Sequence, residues 1–497
     1  MAASKDSRSR FHREFSLGNF SLNPHAGGNV PFCTLMKTLQ TSRRRFLKGL
    51  AATSAVATIG FPAITRAASP GSKLNLAGVG VGGKGAGDIA ETAVNNNVVA
   101  ICDVDDRTLQ GAGQKYPGAK KYHDWRKLLE QKDVDGVTVS TPDHMHAPIA
   151  LAAMQLGKHV YVQKPLSHTI FESRVLTKAA RKYKVVTQMG NQNHSGTGYR
   201  SLVEAVRIGA IGKVKEAHAW SNRPIWPQGI PRPQGSDPVP DYLKWDLWLG
   251  VAKERPFVDA KETADKDGKK RRTGRGPYHP FNWRGFVDFG VGALGDMGCH
   301  IIDPVFWSLD LEAPEFVWYE GEVCNGETFP SSEIIHYKFK KSKYTKGDIT
   351  MTWYDGGKKP SLDLMKLPEG QKLTDNGCLL IGEYGSLLCP HGGKPQLLPA
   401  DRFAEVKLEE VPGDNHYQQW ANACKGEGKA TGDFDYSGPL TETVLLGTVA
   451  IYFPGQKLEW DSKKLEFKNS KEATQRVHHS YRAGWEMEGL TRELAKG

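Results

Sequence analysis

Two side chains in the second half of the chain have the types and the spacing that proton transfer needs. Asp296 and His300 lie four residues apart in the run from Gly290 to His300. If this run is helical, residues i and i+4 share one face, so the carboxylate and the imidazole converge on one spot. Histidine titrates near neutrality and can accept the proton of an alcohol. A helix-surface ion pair is the alternative that the same spacing allows.

A lysine at the end of a predicted strand complements this pair. Lys164 follows the predicted strand 158–162 and precedes Pro165. Its ammonium group can stabilise by charge the alkoxide that develops at a hydroxyl, and its pKa falls when it is desolvated beside another cation. Oxidation of a secondary alcohol would use these three residues together with a hydride acceptor. The alternative is an exposed lysine at a strand end.

A glycine-rich run indicates where a dinucleotide could supply that acceptor. A Gly-x-Gly-x-x-Gly pattern fits residues 78/80/83 or 80/82/85, and the second register lets the preceding strand extend to Val79. Such a turn lets backbone approach a pyrophosphate, and the following helix N-terminus offers free N–H groups. The predicted phosphate-binding residues are Gly80, Gly82, Gly83 and Gly85.

The next strand ends in an acid at the distance expected for a ribose ligand. Asp103 follows the apolar segment 98–102. A carboxylate there accepts hydrogen bonds from both ribose hydroxyls and repels a 2′-phosphate, so NAD is favoured over NADP. Arg107 lies close enough in sequence to weaken that preference.

The secondary-structure elements that must position these residues differ between the two halves of the chain. Predicted strands and helices alternate in the first half, whereas the second half contains predicted antiparallel strands. Predicted strands at 74–79, 98–102, 136–140 and 158–162 alternate with helices at 88–95, 124–130, 147–156 and 172–182. This alternation predicts a parallel sheet that binds ligands across its carboxyl edge. Segments 214–220, 316–322, 334–339 and 348–353 predict antiparallel strands. We therefore expect an α/β fold with a Rossmann domain at 69–190. An α+β domain with a large, mostly antiparallel sheet is expected at 191–497.

Two motifs resemble the Gfo/Idh/MocA oxidoreductase family. The first is Thr141-Pro142-Asp143-His144-Met145-His146 followed by Gln163-Lys164-Pro165, and the second is the Asp-x-x-x-His run that holds Asp296 and His300. The resemblance covers roughly residues 73–485. It implies that Lys164 lies near the nicotinamide and the reacting hydroxyl, and that Asp296 and His300 bind the sugar and move its proton. It also implies cofactor contacts from Thr141, Pro142, His146 and Gln163, with His146 near the nicotinamide ribose.

One residue departs from that family's pattern. The family has Glu-Lys-Pro where this chain has Gln163-Lys164-Pro165. A neutral amide can hydrogen-bond backbone or ribose but cannot hold Lys164 by charge. The resemblance also implies a cis Lys164–Pro165 bond. His144 and His146 beside Asp143 could instead bind a metal, but no third ligand has matching spacing, so no metal is predicted.

Candidate substrate residues lie on predicted loops of the second half. Aromatic rings stack on a pyranose, whereas arginine and asparagine bond its hydroxyls. The candidates are Asn191, Arg223, Trp226, Trp283 and Arg284. Packing of a loop-rich core explains the same residues equally well.

The remaining features concern location and partners. The formal net charge is +11, and residues 1–68 contain ten Lys/Arg and two Asp/Glu, so the basicity belongs mainly to a leader and nucleic acid is not an expected partner. Ser42-Arg43-Arg44-Arg45-Phe46-Leu47-Lys48 is similar to twin-arginine export signals, and we expect Met36 to be the true start. The apolar stretch 49–64 is too short to anchor in a membrane. Seven cysteines without a Cys-x-x-Cys pair suit a protein exported folded, with buried thiols.

These features lead to one preferred function and two alternatives. We expect a periplasmic NAD-dependent oxidoreductase that acts on a sugar or polyol, holds its nucleotide tightly and, by family resemblance, forms a homo-oligomer. Cleavage of a glycoside through transient oxidation at C3 would use the same residues. A non-catalytic sugar- or nucleotide-binding protein on this fold is the third hypothesis.

Overall fold

The computed structural model describes residues 72–260, 262–264, 270–272 and 275–491. The twin-arginine run and the rest of the predicted leader lie outside these residues. Within the described part of the chain, no helix is long and apolar enough to cross a membrane. The six cysteines described there are free and buried, as the sequence predicted.

The N-terminal domain contains a six-stranded sheet in the order β3-β2-β1-β4-β5-β6, with every pairing parallel. Its strands are β1 (Asn75–Val79), β2 (Asn97–Cys102), β3 (Lys120–Tyr122), β4 (Gly136–Val139), β5 (His159–Val162) and β6 (Thr187–Met189). Its helices are α1 (Lys84–Thr92), α2 (Asp106–Lys115), α3 (Trp125–Leu129), α4 (His146–Gln155) and α5 (Ile170–Tyr183). The strand order reverses between β1 and β4, and this places the ligand crevice of a doubly wound fold at their carboxyl ends.

Local signals account for most helix starts in this domain. Thr169 and Glu172 form a capping box at the start of α5, and the Asp105 side chain caps α2. Helix α1 begins one turn earlier than the predicted start at Asp88, directly after Gly83. The prediction was wrong there because the glycines of the first turn have low helix propensity and hide its periodicity.

The C-terminal domain is built on a nine-stranded sheet in the order β15-β14-β13-β7-β12-β11-β10-β16-β17. Its strands are β7 (Val214–Trp220), β10 (Phe316–Glu320), β11 (Ile334–Phe339), β12 (Thr345–Tyr354), β13 (Gly377–Ile381), β14 (Ser386–Pro390), β15 (Gln396–Leu398), β16 (Leu458–Asp461) and β17 (Glu466–Phe467). The short strands β8 (Glu262–Ala264) and β9 (Lys270–Arg272) pair separately. The mostly antiparallel sheet is confirmed.

One strand pairing differs from the prediction. Strands β7 and β12 are parallel neighbours, although both were expected to be antiparallel. The chain leaves β7 and returns to β12 through β10 and β11, so the two strands meet by a long crossover instead of a hairpin.

Helices of the second half hold the two sheets together. They are α6 (Thr197–Arg207), α7 (Trp245–Leu249), α8 (Gly292–Ile301), α9 (Asp303–Ser308), α10 (His416–Cys424), α11 (Phe434–Ala450) and α12 (Lys471–Gln475). Helix α11 is largely buried and packs on α5, α8 and β10. A Cβ atom at Gly298 of α8 would lie 3.1 Å from Val444 of α11, so the two helices approach closely. This packing holds α8 over the carboxyl edge of the parallel sheet.

Candidate active site

The residues with the strongest chemical signal in the sequence meet at the carboxyl edge of the parallel sheet. Lys164 follows β5, and its Nζ atom lies 2.6 Å from Oδ1 of Asp296 on α8. The same Nζ donates to the Asp296 carbonyl oxygen at 2.5 Å. Both side chains are largely buried, with 15% and 14% of their surface exposed. The Lys164–Pro165 bond is cis, as the family resemblance implied.

Two arginines complete the surroundings of Asp296. Arg223 Nε lies 3.5 Å from Oδ2, and Arg284 Nε lies 3.6 Å from Oδ1. Burial alone raises the pKa of Asp296, but the charges of Lys164, Arg284 and Arg223 outweigh burial and lower it to about 2. Asp296 is therefore ionised at neutral pH, and the site carries three cations around one carboxylate.

His300 lies one helical turn after Asp296, and its ring faces another histidine. The centroids of the His300 and His391 rings are 5.3 Å apart. Burial and the positive charge of Lys164 hold the pKa of His300 well below its usual range, so the imidazole is neutral. Its Nδ1 atom is buried, and the described residues provide no hydrogen-bond partner for it. A neutral imidazole with a free ring nitrogen can serve as a proton acceptor.

Asp143 is a second carboxyl group in the site. The sequence pattern indicates only a possible metal ligand at this position. It follows β4 and is buried, with 6% exposed. Burial raises its pKa to about 7 although Lys164 and Arg284 lower it, and Asp296 adds to the increase. Near neutral pH, Asp143 therefore exchanges between its protonated and ionised forms, as an acid–base group does.

The glycine-rich loop has the geometry that a pyrophosphate site requires. Strand β1 ends at Val79, and Gly80 has φ +76°. A Cβ atom at Gly80 would lie 2.6 Å from the Ser140 carbonyl oxygen, and one at Gly85 would lie 1.9 Å from the Gly80 carbonyl oxygen. Only glycine fits these two positions. A Cβ atom at Gly82 would meet the Thr108 side chain at 2.8 Å.

The start of α1 is open to a ligand. Gly83 is the N-cap residue and offers no side-chain cap, and nothing lies within 4 Å of a Cβ atom built on it. The loop therefore presents free space in front of an uncapped helix N-terminus, which favours an anionic group. These residues fit the pyrophosphate of a dinucleotide.

The acid after β2 lies beside this loop. Asp103 accepts hydrogen bonds from Val81 N and Asp105 N, both at 3.0 Å, and burial raises its pKa. Arg107 does not face Asp103. Its guanidinium binds Asp105 through two hydrogen bonds of 3.0 and 2.6 Å and stacks 3.7 Å from the Tyr242 ring. Arg107 is therefore engaged with Asp105 and Tyr242.

The Thr141-Pro142 segment is joined to the lysine segment by His146. One ring nitrogen of His146 lies 2.7 Å from the Pro165 carbonyl oxygen, and the other lies 2.9 Å from that of Thr141. His146 is buried and both nitrogens face backbone oxygens, so it fixes the two loops instead of presenting a nitrogen to a metal. Within the described residues, no group of three or more possible ligands could hold a metal ion.

Three of the predicted substrate residues are largely buried. Asn191 is fully buried and its amide donates to Asp303 at 3.3 Å. Trp226 and Trp283 are 6% and 7% exposed, and their indole N–H groups bind Gln228 and the Pro280 carbonyl. Their contact with a sugar stays a prediction, and the Arg284 guanidinium lies 4.3 Å from the Trp283 ring and 6.0 Å from the Trp226 ring. Arg223 and Arg284 do reach the site through Asp296.

The sequence missed two residues that the fold brings to the site. Asp143 lies inside a quoted motif, but only the three-dimensional environment reveals its raised pKa. His391 follows β14 and binds Tyr199 Oη at 2.9 Å, more than 90 residues from His300 in sequence. No local pattern signals His391, because a single histidine after a strand has no periodicity.

Comparison with known protein families supports the two-domain architecture described above. Residues 73–191 match the model of the Gfo/Idh/MocA oxidoreductase family, NAD-binding Rossmann fold. Residues 220–343 match the model of the C-terminal alpha/beta domain of the same family. These two regions of the chain therefore belong to the Gfo/Idh/MocA oxidoreductases.

Individual relatives match over shorter segments. Inositol 2-dehydrogenase of Salmonella paratyphi B is 32% identical over 149 residues, which is 29% of this chain and 44% of the relative. A glycosyl hydrolase family 109 protein of Stenotrophomonas maltophilia is 38% identical over 128 residues, 23% of this chain and 28% of the relative. The chain thus spans less than half the length of these relatives.

A solved structure shows the fold over most of the chain. The WlbA dehydrogenase of Bordetella pertussis, crystallised with NADH and UDP-GlcNAcA, superimposes with a TM-score of 0.52 and 16% sequence identity. The superposition covers 78% of this chain and 99% of that structure. It shows that the two domains have the architecture of this fold.

Proposed function

We propose that this protein is an NAD-dependent dehydrogenase that oxidises a secondary alcohol of a sugar or polyol. The observation that carries the proposal is the contact of Lys164 with Asp296, one helical turn before a neutral His300. The names of the relatives support it, since one of them is an inositol 2-dehydrogenase. The family model of residues 73–191 is described as NAD-binding, which supports the cofactor.

The residues divide the work of alcohol oxidation. NAD⁺, when bound at the glycine loop, supplies the hydride acceptor. His300 takes the hydroxyl proton, because its ring is neutral and its buried Nδ1 atom has no hydrogen-bond partner among the described residues. Lys164 stabilises the developing alkoxide by its charge, while the ionised Asp296 holds the ammonium in place. Arg223 and Arg284 bind the other hydroxyls of the substrate.

Location and assembly form the rest of the proposal. The run 42–48 supports recognition by the twin-arginine export machinery and a periplasmic site of action. An exported enzyme has no access to a cytoplasmic nucleotide pool, so its NAD must stay bound between turnovers. NAD is preferred to NADP because Asp103 lies at the ribose position and Arg107 is bound to Asp105. The homo-oligomer of the family is proposed as well, and light scattering tests it.

A second candidate is glycoside cleavage through transient oxidation at C3. Asp143 favours it, since a carboxyl group with a pKa of about 7 beside Lys164 could protonate a leaving group. The relative that is a glycosyl hydrolase family 109 protein supports the same reading. In this cycle the cofactor is restored, so no net NADH forms.

One set of measurements separates these functions. The purified exported protein is denatured with acid, and mass spectrometry identifies any released nucleotide. The protein is then incubated with a panel of polyols, sugars and aryl glycosides, while NADH absorbance and aglycone release are followed. NADH formation with a polyol supports the dehydrogenase, and aglycone release without net NADH supports glycoside cleavage. A protein that neither contains nor binds NAD or NADP would refute both and leave a sugar-binding protein.

A further inference from the structure

The residue that departs from the family's Glu-Lys-Pro pattern is bound to a buried acid. Gln163 Nε2 donates to Asp88 Oδ2 at 2.9 Å, and the two side chains are almost inaccessible, with residue exposures of 5% and 0%. Asp88 lies in α1, the helix that follows the glycine loop. The amide therefore connects the end of β5, beside Lys164, to the phosphate-binding helix.

Asp88 accepts hydrogen bonds from three separate elements. Lys84 Nζ of α1 donates to Oδ1 at 2.6 Å, and Ser140 Oγ after β4 donates to Oδ2 at 2.8 Å. Gln163 after β5 is the third donor. A buried carboxylate is stable only when such donors satisfy it. Asp88 thus joins the first turns of α1 to the carboxyl ends of β4 and β5.

Gln163 has no room to turn away from this acid. A Cβ atom at Gly190 would lie 2.6 Å from Gln163 Nε2, so the neighbouring strand end packs directly on the amide. The other end of the amide, Oε1, accepts from the Lys164 backbone N–H at 3.3 Å. A glutamate at this position would face Asp88 with a second negative charge at hydrogen-bond distance. The amide is the complement that a buried carboxylate at position 88 requires.

We propose that Asp88 and Gln163 form a positioning pair that fastens the phosphate-binding helix to the backbone of the catalytic Lys164. The pair replaces the charged residue that the family has before the lysine. It couples nucleotide binding at the start of α1 to the placement of the Lys164 ammonium against Asp296. This inference deepens the proposed function and rests on it for the role of Lys164.

The test reverses donor and acceptor across the pair. Gln163→Glu alone places two carboxylates together, and Asp88→Asn alone replaces the charged acceptor with a neutral amide. The double variant Asp88→Asn/Gln163→Glu restores one amide facing one carboxylate. We expect Gln163→Glu to lower kcat about tenfold or more and to weaken NADH binding severalfold, as separation of a coupled pair does. The double variant should recover most of both losses. Gln234→Glu, at an exposed position, is the matched control.

The pH dependence distinguishes the pair from a general loss of packing. In Gln163→Glu two carboxyl groups meet in a buried place where Lys84 pairs with Asp88, so repulsion between two carboxylates destabilises the fold more at higher pH, where both are ionised. The melting temperature of Gln163→Glu should therefore fall relative to the parent between pH 5 and pH 8. The double variant should follow the parent. A general packing defect would lower the melting temperature of Gln163→Glu equally at every pH.

The outcomes also separate this inference from the proposed function. Melting and NADH binding need no substrate, whereas kcat is measured with the substrate found in the panel. Recovery of stability, NADH binding and kcat by the double variant supports the positioning pair. A parent enzyme without turnover would refute the proposed function and with it the role of the pair for Lys164. Additive losses in the double variant, with an active parent, would overturn the pair while the function stands.

Discussion

The ammonium of Lys164 and the carboxylate of Asp296 are 2.6 Å apart, although 132 residues separate them in sequence. Lys164 follows a strand of the parallel sheet and Asp296 lies in a helix of the C-terminal half, so this contact joins the two domains. It also orders the site, because Arg223 and Arg284 approach the same carboxylate.

Replacement of Lys164 by methionine should remove catalysis and preserve the cofactor site. Loss of one preorganised charge at a developing oxyanion lowers kcat by roughly two to three orders of magnitude. Asp296 keeps Arg223 and Arg284 within 3.6 Å, so the buried carboxylate stays paired and the fold persists. Turnover and NADH fluorescence titration check this. Lys178→Met, at an exposed position of α5, is the control. Retained turnover in Lys164→Met would contradict the assignment.

Asp143 should make stability fall as pH rises towards neutrality. Its folded-state pKa of about 7 lies above the usual value of 3.8, so the protonated form stabilises the fold at low pH and this contribution is lost as pH rises to 7. Asp143→Asn should remove that loss. Relative to the parent, the free energy of unfolding of Asp143→Asn should rise by on the order of 3 kcal/mol between pH 5 and pH 8.

Urea unfolding at several pH values measures this difference. The control is Asp401→Asn, which changes an exposed aspartate that follows β15. Its free energy of unfolding should run parallel to that of the parent at every pH. Parallel curves for Asp143→Asn and the parent would show that Asp143 is ionised throughout. The same variant should also remove an inflexion near pH 7 from the turnover profile, if Asp143 acts in the reaction.

Much of the architecture could be predicted because its signals are local. Alternating apolar strands and helices predicted the Rossmann sheet, and the segment 334–339 was predicted with the bounds that the structure has. The glycine register that ends the strand at Val79 agrees with the observed end of β1. Local sequence could not decide that β7 and β12 are parallel, because strand partners are chosen by long-range packing.

The site was predicted less completely, because long-range packing decides which side chains surround it. Lys164, Asp296 and His300 have a motif, but the environment of Asp143 and the approach of His391 depend on the folded chain. Trp283 has the right type for stacking on a sugar, yet it packs in an aromatic cluster with Tyr278 and Phe286. Residue type alone cannot distinguish a ring that faces a ligand from one that faces the core.

Release of Arg107 from Asp105 should change the nucleotide preference. Burial alone raises the pKa of Asp105, but hydrogen bonds from His279 and Arg107 lower it below its usual range, so the aspartate holds the guanidinium as an anion. In Asp105→Asn the guanidinium loses its charged partner and can reach a 2′-phosphate. The ratio of kcat/KM for NADP to that for NAD should rise about tenfold.

Asp106→Asn is the matched control, since Asp106 contacts His123 and Lys244 instead of Arg107. Arg107→Ala in the Asp105→Asn background should reverse the gain. If the gain persists without Arg107, the loop has changed shape and the arginine is not the phosphate ligand.

The buried acids Glu333 and Asp355 should limit the stability of the fold above neutral pH. Glu333 and Asp355 flank strands β11 and β12, are 1% and 0% exposed, and are joined by a backbone hydrogen bond of 3.0 Å. Burial and the neighbouring Asp355 raise the pKa of Glu333, and burial raises that of Asp355 to about 7. The protonated forms stabilise the fold at low pH, and the contribution of Asp355 is lost as pH rises through 7. Glu333→Gln removes an acid whose pKa rises on folding, so this variant should melt higher than the parent at pH 8, with a smaller difference at pH 5. Glu322→Gln, at an exposed position, should leave the melting curves unchanged. A lower melting temperature of Glu333→Gln at pH 8 would show that Glu333 is ionised and satisfied in the folded protein.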